Sequence, residues 1–159
     1  MSDVLATLHP RPARRWLGIA IQGALGLLVI SVGLALPNDH MLTKFAILVA
    51  GGFMAFGALQ LYRATEHYIE LTRTELRDSA GHVLAAVDNI AGIDRGAFAF
   101  KPSQGFLVRL NDAQPRHWAP GLWWRMGRFV GVGGVTPAGE GKFMAEMLAA
   151  LIAERDAGA

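Results

Sequence analysis

Two stretches decide the fold: WLGIAIQGALGLLVISVGLAL, residues 16–36, and FAILVAGGFMAFGALQLY, residues 45–62. The first runs 21 residues and the second 18 without a charged side chain. At the helical rise, 21 residues cover roughly 30 Å, the hydrocarbon thickness of a bilayer. Pro37-Asn38-Asp39-His40 lies between them and supplies a turn. The pair reads as a transmembrane helical hairpin over residues 16–63. Arg11, Arg14 and Arg15 before the first run imitate a signal peptide. The run is too long for such a leader, a second span follows at once, and Ala35-Leu36-Pro37 is a poor cleavage site because proline follows the candidate bond, so cleavage is not expected.

Positive charge sets the orientation. Arg11, Arg14 and Arg15 precede the first span, and Arg63, Arg73 and Arg77 follow the second. Both termini are therefore expected on the cytoplasmic side of a bacterial inner membrane. Trp16 and Tyr62 fall at the same expected interface, where amphipathic rings are favoured. Residues 1–15, with Pro10 and Pro12, read as a flexible cytoplasmic tail. Within the spans the strongly hydrogen-bonding side chains are Gln22, Ser31 and Gln60. Neither run carries a histidine or carboxylate, which argues against an axial haem ligand or a proton path. The small pairs Ala20/Ala24, Ala46/Ala50 and Gly51/Ala55 are expected to let backbones approach, within the hairpin or against another membrane protein.

Residues 64–159 form a second region of about 95 residues, the common size of one domain. His67 to Thr72 and Thr74 to Arg77 alternate with period two and read as strand. Asp78-Ser79-Ala80-Gly81 reads as a turn, Val83–Val87 as a strand, and 88–96 as a loop or helical turn. Phe98–Phe100 and Phe106–Leu110 read as a hairpin around Lys101–Gly105, and Asn111–Pro115 as a turn. His117–Ala119 and Phe129–Val132 are further strand candidates. Thr136 as N-cap and Pro137 at the first helical position open a closing helix. Its apolar stripe is Phe143, Met144, Met147, Leu148, Leu151 and Ile152. The fold class is α+β: a two-helix membrane hairpin followed by a small antiparallel β-sandwich or open barrel, capped by a C-terminal amphipathic helix.

That order of elements resembles bacterial membrane proteins carrying a pleckstrin-homology-like domain, a broad group that includes photosynthetic-complex assembly proteins. The resemblance rests on Tyr68-Ile69-Glu70-Leu71-Thr72, Asp88-Asn89-Ile90, and Gly121-Leu122-Trp123-Trp124-Arg125 leading into Gly131–Thr136. It implies a binding or scaffolding domain of pleckstrin-homology-like type. The assembly proteins differ in their number of membrane spans, so their specific role is not implied.

The most unusual composition lies in residues 116–135, with three tryptophans, three arginines and five glycines. Arg116, Trp118, Trp123, Trp124, Arg125 and Arg128 form the candidate contact site. Tryptophan and arginine are enriched at protein interfaces and also suit a headgroup layer. Alternatively, the aromatics fill the core and the arginines are solvated. Gly131-Val132-Gly133-Gly134 lacks the spacing of a phosphate loop, and glycines that let a strand bend explain it better. No cysteine is present. His9, His40, His67, His82 and His117 show no metal-ligand spacing, Asp88 and Asp94 read as loop formers, and Ser79 and Ser103 lack a nucleophile context. No catalytic, metal or cofactor site is expected. A formal net charge of +2 does not indicate a nucleic-acid binder. The sequence thus suggests a non-enzymatic assembly factor or accessory subunit of a respiratory or photosynthetic membrane complex. The alternative is a membrane-anchored sensor of anionic lipid headgroups.

Overall fold

The computed structural model describes residues 3–94 and 104–158. Two compact units divide the chain: one is Pro12–Arg63, the other Met1–Arg11 together with Ala64–Ala159.

The first unit is a pair of helices, α1 (Pro12–Ala35) and α2 (Met41–Ala64), joined through a 3-10 turn at Asn38–His40. Both are long and apolar enough to cross a membrane. Glycine sets their closeness. A Cβ on Gly26 would stand 2.9 Å from the Ala55 amide nitrogen, and one on Gly51 would stand 2.9 Å from that of Ile30. Gly33 meets Leu48 in the same way. Lys44, in the first turn of α2, donates to the Leu36 carbonyl at 3.2 Å and to Asn38 Oδ1 at 3.0 Å. It satisfies an orphan acceptor at the end of α1. Of the expected packing residues, Gly51 is buried and Ala55 half-buried, with Gly26 against both. Ala20, Ala24, Ala46 and Ala50 are exposed. Their four-residue spacing keeps each pair on one face, but Gly26 lies two residues past Ala24, on the opposite side of the helix.

Among the described residues, the second unit contains seven strands and one α-helix. The order is β1 (Val4–Leu8), β2 (Ile69–Thr72), β3 (Glu75–Asp78), β4 (Val83–Ala86), β5 (Ile90–Asp94), β6 (Phe106–Ala119), β7 (Trp123–Val132) and α3 (Ala138–Gly158). One antiparallel sheet runs β1-β2-β3-β4 and a second β5-β6-β7. The flexible tail expected at residues 1–15 is thereby corrected. Val4–Leu8 pairs with β2 and buries Leu8 completely, while Pro10 and Pro12 fall after the strand. Pro12 opens α1, where a missing N–H costs nothing.

The alternating run 67–77 is two strands. Thr72 Oγ1 accepts the Glu75 amide at 3.1 Å and donates to the Glu75 carbonyl at 3.0 Å, closing a tight turn. A 3-10 turn, Val87–Asn89, leads into strand β5, Ile90–Asp94, where a loop or a single helical turn was expected over 88–96. The supposed turn at 111–115 is a bulged passage within β6, pinned by Asn89. The Asn89 side chain accepts the Asp112 amide at 2.9 Å and donates to its carbonyl at 3.3 Å. Phe98–Phe100 and Lys101–Ser103 lie outside the described residues.

Leu8, Ile69, Leu71, Leu76, Leu84, Ile90, Phe106, Val108, Val130 and Val132 build the core, which α3 closes with Met144, Ala145 and Leu148. Phe143 instead stands 53% exposed. Helix α3 begins at Ala138, and Pro137 takes the cap position by accepting the Gly141 amide. Thr136 is fully buried, and its hydroxyl has no hydrogen-bond partner among the described residues, so it is not the cap that the sequence suggests.

The β6–β7 ribbon curls back on its own base. Gly133 donates to the Leu122 carbonyl at 2.9 Å and Val135 to that of Gly121 at 3.0 Å. The glycines permit this. A Cβ on Gly134 would sit 2.6 Å from the Gly121 oxygen, and one on Gly131 would enter the Trp124 indole. Gly127, with φ +58°, carries the bend in β7.

Candidate contact face on the ribbon

The strand period divides the candidate residues into two groups. Register pairs Ala119 with Trp123, Trp118 with Trp124, and His117 with Arg125. Directly opposed residues share a face and successive ones alternate. His117, Trp123 and Arg125 therefore point one way, and Arg116, Trp118, Trp124 and Met126 the other.

The inward group is structural. Trp123 is 1% exposed, and its indole N–H donates to Asp78 Oδ2 at 3.2 Å. Asp78 is itself buried at the end of β3. Its carboxylate also accepts the amides of Ala80 (3.1 Å) and His82 (2.8 Å), and it contacts His82 Nδ1 at 3.0 Å. The His117 ring stacks on Trp123, with centroids 4.5 Å apart and planes 8° from parallel, and meets His82 at 4.8 Å. Arg125 donates to three backbone carbonyls: Pro115 at 2.8 Å, Val83 at 2.8 Å and Leu84 at 3.2 Å. It thereby ties the ribbon to β4. Its guanidinium lies 5.9 Å from the Trp123 ring, a cation–π contact.

Burial holds His117 below the ordinary imidazole range, assisted by the neighbouring His82 and Arg125 and opposed by Asp78. Burial also pulls the Arg125 guanidinium down. Trp123 and Arg125 thus serve the fold.

The outward group is a surface. Trp118 is 71% exposed and Met126 54%, with Arg116 and Arg128 exposed beside them. Trp124 is half-buried over Gly131. Arg116, His117, Trp118, Trp124, Arg125 and Met126 line a groove of about 520 Å³. From Ala113 to Gly139 the chain carries three arginines and no carboxylate, so the face is cationic. A second cleft, of about 580 Å³, lies between β4 and the bulged part of β6, where Asp88, Asp112 and Arg125 line it.

Asp78 and His82 were read from the sequence as a turn residue and an isolated histidine, not as members of this site. The only signal for them was the need of a buried indole N–H for an acceptor. The remaining histidines are separate: His9 stacks on Tyr68 at 4.6 Å, and His67 Nδ1 contacts Ser79 Oγ at 3.3 Å. Among the described residues no three histidine, cysteine or carboxylate side chains are grouped to hold a metal. Comparison with protein-family models, curated proteins and solved structures found no match to this chain.

Proposed function

We propose that this protein is a non-enzymatic, membrane-anchored docking subunit, an assembly factor or accessory subunit of a bacterial inner-membrane complex. The observation that carries the reading is Trp118, left 71% exposed on a ribbon whose inner face is held by the buried Trp123–Asp78 bond and by Arg125. A large apolar ring with flanking arginines on a rigid element is the composition of an interface anchor. We assign the soluble unit to the pleckstrin-homology-like type. The support is its strand count, four then three in two antiparallel sheets, followed by one closing helix.

The hairpin is the chain between the paired strands β1 and β2. Two spans in that position return the chain to the side it left. With arginines on both flanks, that side is the cytoplasm.

Native capture from mildly solubilised membranes, with a tag after Ala159, tests the reading. The wild-type chain is expected to bring down a stoichiometric membrane complex that the Trp118→Ala/Arg116→Glu variant loses. Recovery of the wild-type chain alone overturns it.

Arg116 and Arg128 beside an exposed indole also favour a second reading, contact with anionic headgroups. A fragment that starts at Glu66 lacks β1, so the whole chain is the proper sample. In nanodiscs this reading predicts that Trp118 emission shifts blue with anionic but not zwitterionic lipid, and that salt reverses the shift.

A further inference from the structure

We infer that His82 and His117 form a proton-operated latch that regulates the contact face, by deciding how firmly the β6–β7 ribbon is held to the β3–β4 turn. The inference rests on the docking reading only for its consequence; the latch itself is a property of the packed side chains.

The two imidazoles come from opposite elements. His82 belongs to the turn after β3, and His117 to the outer half of β6, 35 residues later. Their rings meet at 4.8 Å, and the far side of His117 is stacked on Trp123. The ring is thus held between the turn and the buried indole. Each element packed here contributes its charges. β3 brings Asp78, the turn His82, β6 His117 with Asp112 further along, and β7 Arg125. Asp88 joins Asp112 on the cleft side of Arg125. Among the described residues, Asp78 is the carboxylate bonded to this cluster. It is already engaged by the Trp123 indole, the His82 ring and two backbone amides.

With neutral imidazoles the arrangement is satisfied. His82 donates from Nδ1 to Asp78, and His117 stacks as an uncharged aromatic. A proton on His82 forms an ion pair with Asp78. A proton on His117 is drawn by Asp78, already engaged by its other partners, less strongly than burial, His82 and Arg125 oppose it. It faces Arg125 directly across the strands, and like charges in that position repel. The strain falls on two attachments: the stack on Trp123 and the Arg125 bonds to Val83 and Leu84. Trp118 and Trp124 are the next register pair, so loosening here changes the spacing of the contact face.

The lowered value of His117 fits this direction: burial disfavours its charged form, and His82 and Arg125 add to that. An unfolded or opened ribbon binds that proton more readily. The closed form is therefore favoured above the ordinary imidazole value of 6.5 and is progressively lost as pH falls from there through the lower folded value.

The test uses the whole chain in detergent micelles, isotopically labelled, titrated from about pH 8 to about pH 5. Histidine and tryptophan side-chain resonances and amide exchange over 117–125 are followed together. His117 is expected to titrate below the ordinary value. Amide exchange of the ribbon, corrected for the intrinsic dependence on pH, is expected to rise through the same range. The rise is up to about tenfold for each pH unit by which the folded value is lowered. The Trp123 indole N–H should move with it.

His82→Gln removes one neighbouring cation, so the His117 midpoint should move up toward the ordinary value. His117→Gln should flatten the exchange profile. A His117 midpoint at the ordinary value, or corrected exchange independent of pH in the wild type, overturns the latch. So does a His117 midpoint unmoved by His82→Gln. None of these readouts involves a partner. Loss of capture in the Trp118 variant can thus support docking while the latch fails, and the reverse outcome is equally distinguishable.

Discussion

The membrane hairpin and the β6–β7 ribbon both bring backbone against backbone through glycine, yet they are held in different ways. In the hairpin, Gly26 and Gly51 let α1 and α2 touch where the surrounding side chains are apolar. Close contact itself, many weak dispersion terms, is what holds the pair. In the ribbon, Gly131 and Gly134 permit a similar approach, but Asp78 and Arg125 lock it with bonds to named partners. The first arrangement fails by a small change in distance, the second by loss of a specific group.

The largest effect is expected at Trp123. Its replacement by alanine removes the largest of the fully buried side chains and leaves Asp78 without the indole donor. The cost should be about 3–5 kcal/mol, read as a drop in the denaturation midpoint of the soluble unit. If the loss stays below about 1 kcal/mol, the ribbon is not locked through Trp123.

The hairpin supplies the next test. Gly51→Val places side-chain atoms where the Ile30 backbone already stands, so the helices must separate, at a cost of about 1–3 kcal/mol. Ala24→Val, on the outer face, should leave the distance unchanged. The chain contains no cysteine, so spin labels at introduced cysteines replacing Leu34 and Phe45, both exposed, report that distance cleanly. Equal distances in the two variants would show that the close glycine contact does not hold the hairpin.

The two regions also differed in how far they could be read from residues alone. A helix span is a local property: residues 16–36 and 45–62 were legible as apolar runs, and the helices extend them only to Pro12–Ala35 and Met41–Ala64. The inner face of the hairpin was less legible. Small residues occur on every side of both helices, and only the crossing point selects Gly26 and Gly51.

In the β unit, alternation located most strands but not their ends. Its phase slips between the buried Leu71 and Leu76, an odd number of residues apart, and that slip marks the Arg73-Thr74 turn. β1 was hidden because its partner β2 lies beyond the whole hairpin, a pairing no local window contains. The contact site was legible as a composition and not as a phase. The run Trp123-Trp124-Arg125-Met126 must alternate, but which members point inward is set by bulges between Arg109 and His117 and by Asp78.

That phase gives the smallest and most discriminating stability effect. Trp118 and Trp124 are opposed across the ribbon and chemically identical, yet only Trp124 covers Gly131. Trp118→Ala should therefore change folding stability by no more than about 0.5 kcal/mol, as for exposed sites generally, even though it deletes the largest side chain available. Trp124→Ala removes packing over the bend and should cost more. Chemical denaturation of the two variants side by side makes the comparison. An exposed tryptophan that adds nothing to the fold, yet is needed for capture of a membrane complex, would be retained for contact alone. If Trp118→Ala costs as much as Trp124→Ala, the outer face of the ribbon is part of the core's support, and the cationic groove around it loses its role as an interface.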